Sequence, residues 1–264
     1  MPHSVHFLLM RLRGHANVSE QLPDSYFAGW QAQLTRSGLS LAGKHVVEIG
    51  SGRYARMALR MLKAGARRVT LIDLYAVSLD HQEQAATLQA DCASLGLSWE
   101  DVRSRVRVIQ GDLLALPPGA LDEPADLVVS NAVLEHVRDP QAIYRSCYDL
   151  LRAGGATYHM VDLRDHNFHF RYPFEMLTYS DMVWKHCLDL HGGFHVNRWR
   201  AHEHLLALAK AGFQMVTYES ILSDVPGLQS IQRRLIGRFR GMPARMLAIQ
   251  LIYLYGRKPG MATL

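Results

Sequence analysis

An α/β fold, with a mainly parallel sheet covered by helices on both faces, is the class this sequence predicts. Three observations predict it. Short apolar runs alternate with amphipathic stretches of helix length from residue 44 onward, the pattern of strand–helix–strand units. The first of those runs, residues 46–49, turns through Gly50-Ser51-Gly52 straight into a helical pattern. Glycines there let the backbone take unusual angles and approach a ligand closely. Finally, Glu48, Asp73 and Asp112 stand at or near the ends of three successive runs, where ligands of such sheets are held.

The elements follow in order. Residues 22–38 read as a helix ahead of the first strand. The glycine turn aims N–H groups at a nucleotide-like cofactor, and two cofactors fit it. Gly50-x-Gly52-x-x-Ala55 matches a dinucleotide fingerprint, while Glu48-x-Gly50-x-Gly52 matches an acid-first variant. A helix over 53–65 leads to a second strand ending at Asp73, whose carboxylate can accept ribose hydroxyls in either case. A helix over 78–95 precedes a third strand that closes on Gly111-Asp112, where a carboxylate can take a hydrogen bond from an adenine amino group. The fourth strand, 125–130, runs into Asn131 and then Leu134-Glu135-His136. A helix over 140–152 ends at Gly154-Gly155, with a fifth strand at 156–162. A further helix is expected at 200–211, with strands at 213–220 and 246–256.

In this order and spacing, Glu48-x-Gly50-x-Gly52, Asp73, Gly111-Asp112, Ser130-Asn131-x-x-Leu134-Glu135-His136 and Leu151-Arg152-Ala153-Gly154-Gly155 resemble the class I S-adenosylmethionine (SAM)-dependent methyltransferases. The likeness covers residues 44–162. One departure is Tyr54, where many members carry a third glycine. The resemblance implies a Rossmann-like seven-stranded sheet with the last strand antiparallel between the fifth and sixth, and a lid after strand five. It implies SAM as cofactor, held by Glu48, Gly50, Ser51, Gly52, Asp73, Leu74, Asp112, Leu113 and Asn131. The expected organisation is a single domain over 1–264: a helical cover at 1–43, a SAM-binding core at 44–162, and acceptor-pocket insertions at 163–200 and 221–243.

The first insertion is rich in functional side chains. Eight of the fourteen histidines fall between His159 and His204. The stretches Asp162-Leu163-Arg164-Asp165-His166 and Asn197-Arg198-Trp199-Arg200 resemble a bacterial subgroup of the family. Methyl transfer to oxygen needs alignment and removal of a proton, and a histidine held by a carboxylate suits that task near neutral pH. His166 is the first candidate base, with Asp165 or Asp162 to orient it, and His136 is the second. Arg164, Tyr172, Tyr179 and Arg198 are expected to line the acceptor site, aromatic faces favouring a sulfonium and arginines an anionic group. Some relatives hold a divalent ion with Glu-x-x-Glu-His after strand four. Here Ala132 replaces the first glutamate, so no metal is expected.

The charge is uneven. From Asp224 to the end there is no further acid, while five arginines between 233 and 245 join Arg257 and Lys258. The first 224 residues therefore carry a net −2 against a total of +5. Leu228, Ile231, Leu235, Ile236 and Phe239 recur at helical spacing among those arginines. That reads as a basic amphipathic helix, open to peripheral membrane contact through 228–245 or packed on the core with a solvated face. Nucleic acid is disfavoured, since no basic-aromatic platform is present. Three cysteines cannot all pair, and no apolar run is long enough to span a bilayer, so a cytoplasmic protein is expected. The leading function is methyl transfer from SAM to a small-molecule oxygen acceptor of sugar, lipid-linked or natural-product type. Self-reaction of SAM releasing methylthioadenosine, and non-enzymatic SAM or membrane-surface binding, are the alternatives. The oligomeric state is left open.

Overall fold

The computed structural model describes residues 24–52, 54–75, 77–166, 172–188 and 195–260. The chain divides into two compact units. One comprises residues 1–130, 146–158 and 257–264, and the other 131–145 and 159–256. Seven strands form one sheet in the order β3-β2-β1-β4-β5-β7-β6.

In the first unit, β1 (His45–Ile49) pairs in parallel with β2 (Arg68–Asp73) and with β4 (Ala125–Asn131), and β2 pairs in parallel with β3 (Val106–Gln110). Val47 thus stands between Thr70 and Val128. Every residue of β1 is buried, as in a central strand covered on both faces. Helix α1 (Asp24–Arg36) buries Phe27, Trp30 and Leu34, and Trp30 meets Tyr158 edge-on at 5.9 Å. Helix α2 (Arg56–Lys63) buries Met57, Ala58, Leu59, Met61 and Leu62. Helix α3 (Gln82–Leu95) stops at Gly96 in the left-handed conformation, a common helix end. Helix α4 (Trp99–Arg105) was not expected from sequence. Its cap is Ser98, which accepts from the Asp101 N–H, but about two turns are too few to show a helical period.

Helix α5 (Pro140–Leu150) passes directly into β5 (Leu151–Asp162). The expected strand start at 156 is therefore corrected to Leu151. The two glycines are part of the strand's opening: Gly154 has φ +76°, and a Cβ on Gly155 would lie 3.0 Å from the Arg152 carbonyl oxygen. β7 (Ile249–Arg257) runs antiparallel beside β5, since the Lys258 N–H reaches Gly155 O while Leu163 N–H reaches Gln250 O.

The second unit holds a short helix α6 (Asp181–Val183) that continues as a π turn (Trp184–Leu188), then α7 (Ala201–Lys210), β6 (Gln214–Ser223), α8 (Val225–Ile231) and α9 (Ala244–Leu247). Phe174, Met176, Leu177, Trp184, Leu228 and Phe239 belong to its core. The expected amphipathic helix is corrected here. After α8 the chain makes two 3-10 turns, Gln232–Arg234 and Gly237–Phe239, separated by Leu235 and extended Ile236, and the second opens on Gly237 at φ +55°. Leu228, Ile231, Leu235 and Phe239 are buried in the core, so this apolar face is already covered by protein. Among the described residues no helix is long and apolar enough to cross a membrane. All three cysteines are free.

Candidate active site

The glycine turn is built in the first unit. β1 delivers Glu48 into the interior at 3% exposure, with Oε2 lacking a hydrogen-bond partner. Burial, and then the nearby Asp73 carboxylate, push its acid up to about 8. Gly50 and Gly52 take φ of +72° and +65°, angles that side chains oppose. Gly50 N–H donates to Ile72 O, and Gly52 N–H donates to Asp73 Oδ2 at 2.8 Å. Asp73 Oδ1 accepts from the Tyr75 N–H. Asp73 thus braces the turn from the end of β2, and each oxygen keeps a lone pair for a ligand. Ser51 is buried with its hydroxyl unpartnered. At the position where many family members place a third glycine, the strain moves on by one residue: Ala55 takes φ +47°. After β3, Asp112 caps a 3-10 turn through Oδ1 and the Leu114 N–H. Leu113 is buried, while Leu74, Tyr75 and Leu114 present exposed apolar surface.

The second unit gathers the candidate bases. Asn131 closes β4, with both its side-chain nitrogen and oxygen buried and unpartnered. Ala132 then turns the chain at φ +51°. Glu135 is 1% exposed, and burial drives its acid well above the ordinary carboxylate value. The adjacent His136 places Nδ1 at 2.8 Å from His195 O. A carbonyl only accepts, so the proton sits on Nδ1 and Nε2 carries the lone pair. Burial lowers His136 to about 4, which keeps it neutral at pH 7.

The end of β5 supplies the other half. Asp162 accepts from the Arg164 Nε at 2.8 and 3.1 Å through its two oxygens, and again from the Arg164 backbone N–H. His166 Nε2 lies 3.4 Å from Asp162 Oδ2. Burial opposes ionisation of Asp162, but the Arg164 hydrogen bonds and then His166 prevail, holding it well below the usual carboxylate range. The rings of His136 and His166 stand 5.0 Å apart. Two candidates thirty residues apart in sequence are thus brought side by side.

A family model described as a methyltransferase domain matches residues 47–159. The chain is 32% identical over 123 residues to a ubiquinone biosynthesis O-methyltransferase of Ralstonia nicotianae, covering 47% of this chain and 45% of that protein. It is 36% identical to the protein of that name from Xanthomonas euvesicatoria, covering 46% and 44%. It spans less than half the length of these curated relatives. A SAM-dependent methyltransferase of Mesorhizobium loti shares the fold, with a TM-score of 0.53 at 16% identity over 86% of this chain and 96% of that one. Residues 47–159 thus match a methyltransferase-domain model, and the chain shares the fold of a SAM-dependent methyltransferase. The [4+2]-cyclase SpnF shares the fold too, with a TM-score of 0.54 at 19% identity over 89% of this chain and 81% of that one. The fold therefore does not by itself decide the chemistry.

The methyltransferase-domain match implies SAM as cofactor, and the residues at the glycine turn fit it. The buried, unpartnered Glu48 Oε2 and Ser51 hydroxyl ask for a polar ligand at the turn, and the exposed Leu74 and Leu114 offer apolar surface for an aromatic base. Among the described residues no group of three or more His, Cys, Asp or Glu side chains could hold a metal ion.

Other expected positions are placed differently. Asp165 is buried and its N–H bonds Pro173 O, so Asp162 is the carboxylate that meets His166. Arg198 is corrected as an acceptor contact. Its guanidinium is buried, donates to Met176 O and Tyr179 O, pairs with Asp181, and lies over Trp184 and Phe239. Tyr179 is likewise committed: its hydroxyl donates to Glu175 and its ring stacks on Trp184. Tyr172 is half exposed beside Arg164. The sequence showed Glu135 only as a remnant of a metal motif. Its burial has no sequence signal.

Proposed function

We propose that this methyltransferase domain transfers the methyl group of SAM to a hydroxyl of a small-molecule acceptor, with His166 as general base. The observation that carries the reading is the His166–Asp162 contact beside a neutral His136. Glu48, Ser51, Gly52, Asp73 and Asp112 would hold SAM, which when bound supplies an electrophilic methyl group and leaves as S-adenosylhomocysteine. Asp162 stays ionised and faces His166 Nε2, so that nitrogen bears the proton and Nδ1 bears the lone pair. His166 Nδ1 takes the acceptor hydroxyl proton as the oxygen is methylated. His136 Nε2 accepts a hydrogen bond from the acceptor and orients it. The relatives named as O-methyltransferases favour oxygen as the receiving atom, and a sugar, lipid-linked or natural-product alcohol suits the pair of histidines.

The test is mass spectrometry of the purified protein with SAM alone and with host metabolite extract. S-adenosylhomocysteine formed only with extract, together with a metabolite heavier by one methylene, is the expected result. His166→Ala is expected to slow turnover by about 10²–10⁴-fold without abolishing SAM binding. Methylthioadenosine formed from SAM alone would overturn the reading in favour of cofactor self-reaction. Tight SAM binding with no product from any extract would make the chain a SAM-binding protein.

A further inference from the structure

The stretch Asn197-Arg198-Trp199-Arg200 plays no part in the chemistry above, yet its side chains reach both histidine-bearing segments. Asn197 spends its donors on one turn. Its backbone N–H donates to Glu135 O at 2.9 Å, and Nδ2 donates to Leu134 O at 2.6 Å and Val137 O at 3.1 Å. Its Oδ1 accepts from the Trp199 N–H at 3.0 Å. That turn carries His136, whose Nδ1 faces the carbonyl of His195, two residues before Asn197. Only an amide of this length offers two donors and an acceptor together; aspartate lacks the donors.

Arg200 grips the other histidine's segment. It is fully buried, and it donates to Leu163 O at 2.6 Å, Leu247 O at 2.8 Å and Ile249 O. Leu163 sits between Asp162 and Arg164, and its own N–H is held by Gln250 O at 2.7 Å. A buried guanidinium surrounded by carbonyls and lacking a carboxylate partner in these contacts is a costly way to fill a core. An apolar side chain would fill the volume, but it would not fix three carbonyls. Between the two, Arg198 is held at φ +59°, a conformation that non-glycine residues adopt only when surroundings enforce it. Its contacts with Met176 O and Tyr179 O enforce it.

We infer that residues 195–200 form a clasp that positions the proposed base pair, Asn197 and the His195 carbonyl setting the tautomer of His136 and Arg200 setting the Asp162–His166 segment. These are positioning residues, and their action rests on the methyl-transfer reading. The test is nitrogen-15 NMR of histidine-labelled protein, which reports which ring nitrogen bears the proton without any turnover. Wild-type His136 is expected to be protonated on Nδ1. In Asn197→Asp, which keeps the shape and the Trp199 contact, His136 is expected to populate both tautomers. There kcat should fall by roughly tenfold to a hundredfold, with the KM for SAM unchanged. Arg200→Lys should lower kcat and leave the His136 tautomer alone.

A wild-type spectrum showing the proton on Nε2 overturns the inference, whatever the variants do. So does a folded Asn197→Asp protein with an unaltered His136 spectrum, or one whose loss of kcat is matched by an equal loss of SAM affinity. Should Asn197→Asp fail to fold, the wild-type tautomer and the Arg200→Lys kinetics decide. Absence of S-adenosylhomocysteine from wild-type protein with every acceptor would sink the methyl-transfer reading alone, because the tautomer is read independently.

Discussion

Glu48 shows how a single residue can be placed for a ligand at the expense of the ligand-free fold. Its carboxyl is buried with an unpartnered oxygen and is pushed up to about 8 by burial and by Asp73. The folded chain therefore holds a proton that the unfolded chain releases above its ordinary value of 4.5. Stability from this group is lost as pH rises between those two values. Glu48→Gln removes that loss. In the ligand-free protein it is expected to raise Tm at pH 8, with little change at pH 4, as followed by thermal unfolding at both pH values. The same substitution removes the only carboxyl at the turn's entrance strand and should weaken SAM binding about tenfold or more, in the range of a lost charged hydrogen bond. Calorimetric titration with SAM would measure it. A variant that is less stable at pH 8 and binds SAM normally would show Glu48 to be a structural acid.

At the scale of elements, β5 is the strand whose start the sequence misplaces most. Leu151-Arg152-Ala153-Gly154-Gly155 has the residues of a helix stop, and the strand nonetheless begins at Leu151. The reason is spatial: Gly155 packs where a Cβ would meet Arg152 O and Leu151 Cδ2 at 3.0 Å and Asp126 O at 3.2 Å. Gly155→Ala is expected to cost about 1–3 kcal/mol, an overpacking penalty, measured by denaturant unfolding. The alternation of apolar runs made the other strands legible, because each central strand must bury both faces. The glycine turn and the strand-end acids were legible because glycines and acids at strand ends leave a pattern in order and spacing. The role of Arg200 was not, because its partners are backbone carbonyls, which no sequence records.

The elements of the second unit are also tied by neutral histidines. Tyr144 of α5 bonds His204 Nδ1 of α7 at 2.8 Å, and the ring of His159 in β5 meets Tyr144 edge-on. Burial lowers His159 and His204 each to about 3, and His136 to about 4, from an ordinary 6.5. Below 6.5 the unfolded chain takes up protons that the folded chain refuses. Stability is therefore lost as pH falls from 6.5 toward 4. Tm at pH 5 is expected to lie below that at pH 7, and His159→Phe, which keeps the ring and removes the titration, should flatten the slope. An unchanged slope would assign the acid sensitivity to other groups.

For the whole molecule the question is whether the two units unfold separately. Their division falls inside β4 after Ser130, inside β5 after Tyr158 and inside β7 after Gly256. Three strands are therefore shared, and a strand whose one half melts leaves the other half's backbone groups without the order that pairs them. A single cooperative transition follows. The tryptophans report it by unit, with Trp30 and Trp99 in the first and Trp184 and Trp199 in the second. A protein with Phe at 184 and 199 and one with Phe at 30 and 99 should each show a denaturant midpoint that coincides with that variant's own far-ultraviolet circular dichroism. On the proposed reading, S-adenosylhomocysteine would engage the glycine turn of the first unit. At about a hundred times its Kd it should stabilise by about 2.7 kcal/mol, and the tryptophans of the second unit should register the same gain. If only Trp30 and Trp99 follow the ligand, the units are separate folding bodies, and cofactor binding stabilises the cradle without stabilising the histidine pair.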